Sequence, residues 1–242
     1  MKPEALSFAV LAICAALVCS TNAAGAQTVL APLTAQWWQW VLSIPTDNNP
    51  TLDTTGDDCM VGQRGPIWFL TGANFGGETP PLTRSCSIPA GDVVFFPTIS
   101  AFFFNTPNCL QGPENLTVKF MREQIEPFIN SVHNMSVTVD GSPVKPLRVA
   151  STPFPVAIPD DNVFNPDGCG TGVPFPSGVY SPSVADGYYV VLENLKPRPQ
   201  PYDIHFHAEA ESDVLGKTVQ DVTYHLTVVS VLSGRPTRGG AD

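Results

Sequence analysis

Short apolar runs separated by turns rich in Pro and Gly dominate the pattern of hydrophobic and polar positions along this chain. Many of the runs are β-branched or aromatic, and several alternate apolar with polar residues, which is typical of strands. Pro89-Ala90-Gly91 and Asp140-Gly141 indicate turns, and Asp-Gly is a strong hairpin signal. Pro97 should mark a bend or an edge. The predicted strands are 66–70, 84–88, 93–96, 99–104, 137–139, 144–149, 188–192, 202–208 and 219–231.

Two segments instead repeat apolar residues at helical spacing. The clearer one, residues 117–129, ends in a turn that Pro127 should kink. The other, residues 34–42, has Thr34 as a candidate N-cap and ends before Pro45. It carries three tryptophans within four residues, which at this spacing indicate a lid over a core, with a sugar-stacking platform as the alternative. Many strands, two helices and no strand–helix alternation predict a mainly β fold, an antiparallel β-sandwich or jelly roll with two short helices.

Composition bounds the function of the chain. Its 242 residues include 22 acidic and 12 basic side chains, for a net charge of −10. We find no Lys/Arg cluster, which argues against nucleic acids and anionic membranes as partners. The hydrophobic fraction of 43% excludes a disordered chain.

Residues 1–26 have the features of a signal peptide, with an early lysine, an uncharged apolar run and the small residues Ala24-Gly25-Ala26 before the cleavage point. A retained membrane anchor is the alternative, although the apolar run is too short to span a bilayer. We expect residues 27–242 to form a single β-sandwich domain that is secreted or periplasmic and has no membrane span after signal removal.

The cysteines agree with export. Cys59, Cys86, Cys109 and Cys169 remain after signal removal, an even number without zinc-like spacing. Two disulfide bonds are therefore predicted. Of the three possible pairings we favour Cys59–Cys86 with Cys109–Cys169, since each would connect a loop to a neighbouring strand. Free, metal-ligating thiols are the rival interpretation.

One cluster of candidate chemistry stands apart, in the strand predicted at 202–208. Alternate side chains of a strand share a face, so His205, His207 and Glu209 should project together, on the same side as Asp203. Two imidazoles and a carboxylate suit a divalent metal, namely zinc, iron, manganese or copper. His225 should face the same way from the last strand, and His133 is another source of a third imidazole.

The polar residues of this strand also fit two functions that need no metal. A solvent-facing strand requires polar residues at alternate positions, and acid–base chemistry can use the same side chains.

Two acidic loops could hold calcium, although Asp and Asn are also ordinary turn formers and neither loop has EF-hand spacing. These loops contain Asp53, Asp57 and Asp58, and Asp160, Asp161, Asn165 and Asp167.

A short motif resembles the cupin metal motif. His205, His207 and Glu211 have the spacing of its first half, and Pro89-Ala90-Gly91 resembles the Pro-x-Gly of its second half. The resemblance implies a jelly roll that binds a metal. The pattern then departs from the family, because Val94 occupies the position of the next histidine, the halves occur in reverse order, and the flanking glycines are missing.

At the level of the whole chain, several segments resemble a family of exported bacterial hypothetical proteins. The resemblance covers most of residues 27–242 and implies export and one domain, without an activity to carry over. The segments are Trp38-Gln39-Trp40, Ser43-Ile44-Pro45, Asn49-Pro50, Asp53-Thr54-Thr55-Gly56, Cys59-Met60-Val61-Gly62-Gln63, Trp68-Phe69-Leu70, Arg84-Ser85-Cys86, Phe95-Phe96-Pro97, His205-Phe206-His207 and Asp221-Val222-Thr223-Tyr224.

The sequence thus predicts an exported, disulfide-stabilised β-sandwich that binds a ligand or a metal through its His-x-His-x-Glu strand. The ligand could be a small molecule or a polymer. Two alternatives remain, a metal-dependent extracytoplasmic enzyme, hydrolase or oxygenase, and a structural or adhesive surface protein. Whether the protein is an enzyme is left open. Nucleophilic catalysis has little support, because no nucleophile motif or phosphate-binding loop is present.

Overall fold

The computed structural model describes Gly25 and residues 27–73, 75, 77–170 and 172–230. The predicted signal peptide therefore lies outside the described residues, apart from Gly25. The strands of the described chain form two sheets. Sheet A has the strand order β1-β3-β8-β6, with β7 also paired to β8. Its strands are β1 (Ile67–Phe69), β3 (Val93–Phe104), β6 (Leu147–Ala150), β7 (Phe154–Ile158) and β8 (Gly178–Leu192).

Sheet B has the order β2-β10-β9-β4-β5. Its strands are β2 (Leu82–Pro89), β4 (His133–Val139), β5 (Ser142–Pro143), β9 (Tyr202–Ser212) and β10 (Gly216–Val229). The predicted mainly β sandwich with two helices is confirmed. The pairs β1–β3 and β2–β10 are parallel, whereas the other strand pairs are antiparallel, so the order is not that of a fully antiparallel jelly roll.

The two sheets differ in how they are buried. Sheet B packs its inner face, including Phe206 and Tyr224, against sheet A and leaves its outer face accessible, which produces strict alternation along β9 and β10. Sheet A is covered on both faces. Phe96 points toward sheet B, while Phe95 packs on the opposite side among aromatic residues of the first helix. Near-continuous burial along β3 follows from this position.

A β-bulge exchanges the two faces of β3 halfway along its length. The pairing of β3 with β8 shifts register between Pro97 and Ile99, where the sequence predicted a bend. One extra residue reverses the alternation of side chains. Val94 and Phe96 face sheet B before the bulge, but Phe102 points away from sheet B after it. Because of the bulge, the side chain of Phe102, near the end of β3, points toward the far side of sheet A.

Residues 27–42 form the first helix, α1, which covers the far side of sheet A. Trp37, Trp38 and Trp40 are all buried, so the predicted core role is confirmed and the rings are not available to stack on a sugar. The prediction that Thr34 caps this helix is wrong. Thr34 lies inside the helix, and its buried hydroxyl donates to the Leu30 carbonyl one turn earlier.

The second helix, α2 (Val118–Asn130), lies one residue later in the chain than the predicted helix 117–129. Thr117 is its N-cap and accepts a hydrogen bond from the Phe120 N–H. The helix buries Met121, Ile125, Phe128 and Ile129 against the ends of β3, β8 and β9. It thereby closes one end of the space between the sheets.

The Asp140-Gly141 hairpin is also confirmed, with both residues at positive φ as a type I′ turn requires. Its returning strand is shorter than predicted. Only Ser142–Pro143 pairs with β4, and the chain then crosses to sheet A, where it forms β6. The sequence prediction also missed β7 and the first half of β8, which are rich in Pro, Ser and Gly.

Both favoured disulfide pairs are present, Cys59–Cys86 and Cys109–Cys169. The first joins the loop before β1 to β2. The second joins the loop after β3 to the loop between β7 and β8. Such bonds are typical of an oxidising environment outside the cytoplasm. No helix in the described part of the chain is long and apolar enough to cross a membrane.

A buried arginine fastens the loops to the sandwich. Arg84 on β2 is almost fully buried, yet its partners are neutral oxygens. Its guanidinium donates to the carbonyls of Thr51 and Asp53, to the carbonyls of Thr71 and Gly72 and to two hydroxyl groups, one of them on Tyr224. Arg84 thus has a structural role, because it connects the loops on either side of β1 to sheet B.

Candidate functional site

The outer face of sheet B carries the predicted site residues. Ile204, Phe206 and their neighbours at alternate positions of β9 are buried, so His205, His207 and Glu209 project together from the opposite face, as predicted. Each of the three is partly exposed. The face lies between β4 and β10, which flank β9.

A carboxylate on the neighbouring strand links the two histidines. Asp221 of β10 lies directly opposite His207. Its Oδ1 is 2.9 Å from Nε2 of His205, and its Oδ2 is 3.4 Å from Nδ1 of His207. Both imidazoles therefore share one carboxylate, and its two oxygens are divided between them.

Glu209 extends this network toward β4. Its Oε1 lies 3.4 Å from Nε2 of His207 and accepts a hydrogen bond of 2.9 Å from the Asn134 amide. Oε2 lies 3.7 Å from Nε2 of His133. The hydrogen bonds from Asn134 and His207 hold the pKa of Glu209 below its usual range, so this carboxylate stays ionised and available as an acceptor.

His225 belongs to the same face but has a different partner. Its Nδ1 is 3.6 Å from Asp203, which lies opposite it on β9. All four histidines of the chain thus lie on the outer face of sheet B, each with a carboxylate nearby. Threonines lie opposite His205 on both neighbouring strands, at Thr138 and Thr223. We call the network of His205, His207, Glu209, Asp221, Asn134 and His133 the histidine face.

The histidine face does not contain a preformed metal cage. Within the described ranges, no group of three or more His, Cys, Asp or Glu side chains is arranged to hold a metal ion. The predicted set of His205, His207, Glu209 and His225 is divided, because His225 contacts Asp203 while the other three share the network around Asp221. The donor atoms that the face does bring together are two imidazoles that share one carboxylate, which are ligand types that divalent transition metals prefer.

The two acidic loops serve as turns. The Asp53 carboxylate accepts hydrogen bonds from the Thr55, Gly56 and Asp58 N–H groups and from the Thr55 hydroxyl. Although burial opposes ionisation, these donors hold the pKa of Asp53 below its usual value. Burial and the charges of Asp53 and Asp57 raise the pKa of Asp58 instead.

In the second loop, Asp167 accepts from the Gly172 N–H and Asp160 accepts from the Ser177 hydroxyl. The Asn165 amide joins the same loop, with its oxygen accepting from the Phe175 N–H. These contacts link separate parts of the loop between β7 and β8, so Asp160, Asn165 and Asp167 help to fix its shape. Calcium binding at either loop stays a prediction without further support.

A second feature, which the sequence did not indicate, lies on the other side of the molecule. Beyond the bulge, the end of β3 borders a cavity of about 540 Å³. Its lining contains no charged side chain. We call it the aromatic cavity; the lining residues used below are Phe102, Phe104, Leu110, Gln111, Phe120, Gln124, Phe164 and Phe175.

The missed residues left different signals in the sequence. Asp221 lies four residues before His225 on the same face of one strand, so locating the β9–β10 turn at 213–215 would have placed it opposite His207. The lining of the aromatic cavity comes from distant segments and left no local pattern.

No known protein family matches the chain, and comparison with curated proteins and with solved structures likewise finds no match.

Proposed function

We propose that this protein is an extracytoplasmic metal-binding protein in which His205 and His207 chelate a divalent transition metal ion, with Asp221 as an additional ligand. Its two disulfide bonds support a secreted or periplasmic location, because such bonds persist in oxidising compartments. The signal peptide predicted at residues 1–26 supports the same location.

The observation that carries the proposal is the shared Asp221 carboxylate. Ligand atoms bonded to an ion at about 2.0–2.2 Å lie roughly 3.0–3.4 Å from one another. The two nitrogen–oxygen distances to Asp221 are 2.9 and 3.4 Å, close to this spacing. Each ring nitrogen thus lies near ligand spacing from one oxygen of Asp221, and in this proposal the two rings rotate toward a common point when the ion binds.

Glu209 has a different role in this proposal from the one the sequence suggested. If Nδ1 of His207 faces the ion, Nε2 carries the proton and donates to Glu209, 3.4 Å away. Metal-binding histidines commonly donate their second N–H to a carboxylate, which fixes the ring and raises its basicity. Asn134 holds Glu209 in place through its amide. Glu209 is thus a positioning residue.

The donor set also determines the class of ion. Sites built from imidazole nitrogens have a higher affinity for Cu²⁺ than for Zn²⁺, and a lower affinity for Fe²⁺ and Mn²⁺. Calcium prefers a cage of oxygens and should bind poorly. An open chelate on a sheet face leaves coordination positions for water or for a second ligand.

Copper titration followed by electron paramagnetic resonance tests the proposal. The full chain should bind Cu²⁺ with the nitrogen splitting of two imidazoles, and Ca²⁺ should not compete. His207→Ala should remove that signal, whereas His225→Ala, on the same face but outside the shared network, should leave it intact. A Cu²⁺ signal that survives His207→Ala, or the absence of any such signal, would show that the proposed function is wrong.

A further inference from the structure

We infer that the aromatic cavity is a second binding site, distinct from the histidine face, for an uncharged small molecule built on an aromatic or alicyclic ring. The cavity volume of about 540 Å³ is in the range of about 300–1,000 Å³ that is usual for small-molecule sites. None of its lining residues belongs to the histidine face.

Aromatic rings form one wall of the cavity. Phe102 and Phe104 are stacked with ring centroids 5.2 Å apart, and Phe164 and Phe175 each lie 5.6 Å from Phe104. Phe164 and Phe175 also contact each other at 5.2 Å. Rings held by one another in this way form a rigid apolar surface, and a flat ring can pack on it at little cost in side-chain entropy.

The mouth of the cavity leaves apolar side chains in water. Leu110 is 79% exposed and Phe120 is 42% exposed, and both line the opening. Leu110 also has a φ of 56°, a left-handed conformation that leucine rarely adopts. It is held there beside Cys109, whose disulfide to Cys169 ties the two loops around the mouth. Strained positions of this kind concentrate at functional sites.

The polar groups of the lining define the remaining chemistry of the ligand. Gln111 has both ends of its amide occupied, since Oε1 accepts from the Thr106 N–H and Nε2 donates to Asn105 and Glu114. Gln124 has no partner among the residues that the structure describes, so its amide can hydrogen-bond to a ligand. A charged ligand would lose its hydration without gaining a counter-charge. The ligand should therefore be uncharged and carry one hydrogen-bonding group.

Two fluorescent probes with the same rings test this inference. N-phenyl-1-naphthylamine is uncharged and carries one N–H, and 1-anilinonaphthalene-8-sulfonate adds a sulfonate to the same skeleton. The full-length protein should bind one equivalent of the uncharged probe saturably, and at least about tenfold more tightly than the sulfonate, because the lining offers no cation to the sulfonate.

Variants locate the binding. Leu110→Asp should lower the affinity for the uncharged probe by about tenfold or more, because it places a charge at the mouth of the cavity. Leu147→Asp, at an exposed leucine on β6, should have no effect. Gln124→Ala should lower the affinity for the same probe without changing the thermal stability of the protein.

Several results would overturn the inference. They are equal affinity for both probes, non-saturable binding, an unchanged affinity in Leu110→Asp, or a dimer in sedimentation experiments that Leu110→Asp dissociates. Copper binding plays no part in this test, so the two proposals can fail independently.

Discussion

Replacing Arg84 with alanine removes the donor of six hydrogen bonds from the interior of the protein. A hydrogen bond to a charged group contributes about 1.5–3 kcal/mol, but one guanidinium nitrogen shares four of the six contacts, so the values do not add. Water entering the vacated space satisfies some of the freed carbonyl groups. We expect a loss of about 3–5 kcal/mol, because several buried oxygens lose their donor and each one that stays unsatisfied costs about 1–3 kcal/mol.

Urea denaturation followed by tryptophan fluorescence measures this loss, because the buried tryptophans of α1 report on the core. Tyr224→Phe removes a single hydroxyl of the same cluster and should cost only about 1–2 kcal/mol. Arg64→Ala, at an exposed arginine, should change stability by less than about 0.5 kcal/mol. A loss below about 1 kcal/mol for Arg84→Ala, with an unchanged denaturant slope, would refute the structural role assigned to Arg84.

Three further predictions concern stability. Replacing Cys59–Cys86 or Cys109–Cys169 with alanine pairs should cost about 3.5 and about 4 kcal/mol in denaturation experiments, since the bonds close segments of 27 and 60 residues. A larger loss for the shorter loop would contradict the entropic reasoning. Gly56→Ala should sharply lower the melting temperature, because φ is 99° and a Cβ atom would lie 2.2 Å from the Ser85 carbonyl oxygen; an unchanged melting temperature would disprove this contact. Because the pKa of Asp53 is lowered on folding, its contribution to stability is complete above its ordinary pKa of 3.8 and disappears as the pH falls through the folded value. Asp53→Asn should make the stability depend less on pH in this acidic range. An unaltered pH dependence would contradict the role assigned to the Asp53 carboxylate.

The local features of the fold could be predicted because their causes are local. The Asp140-Gly141 turn requires two positive φ values, and the helix after Thr117 needs only a cap and an apolar stripe. Alternation along β9 placed His205 and His207 on one face, because sheet B is covered on one side only.

Other features depend on contacts between distant segments. The bulge at Pro97 determines that Phe102 borders the aromatic cavity, and the sequence indicated a bend there without its effect on side-chain direction. Thr34 looked like a helix cap because it precedes the apolar stripe at residues 37–41, but residues 27–33 already belong to α1. The partners of Arg84 come from several loops, so its burial could not be inferred from its neighbours in the chain.

Metal content after equilibrium dialysis against Cu²⁺ is the decisive measurement for the histidine face. We expect one tightly held copper ion per chain in the full-length protein, essentially none in the His205→Ala/His207→Ala double variant, and one again in the matched double variant His133→Ala/His225→Ala. Equal copper in the two double variants, or none in the unaltered protein, would contradict the assignment of the histidine face as the metal-binding site.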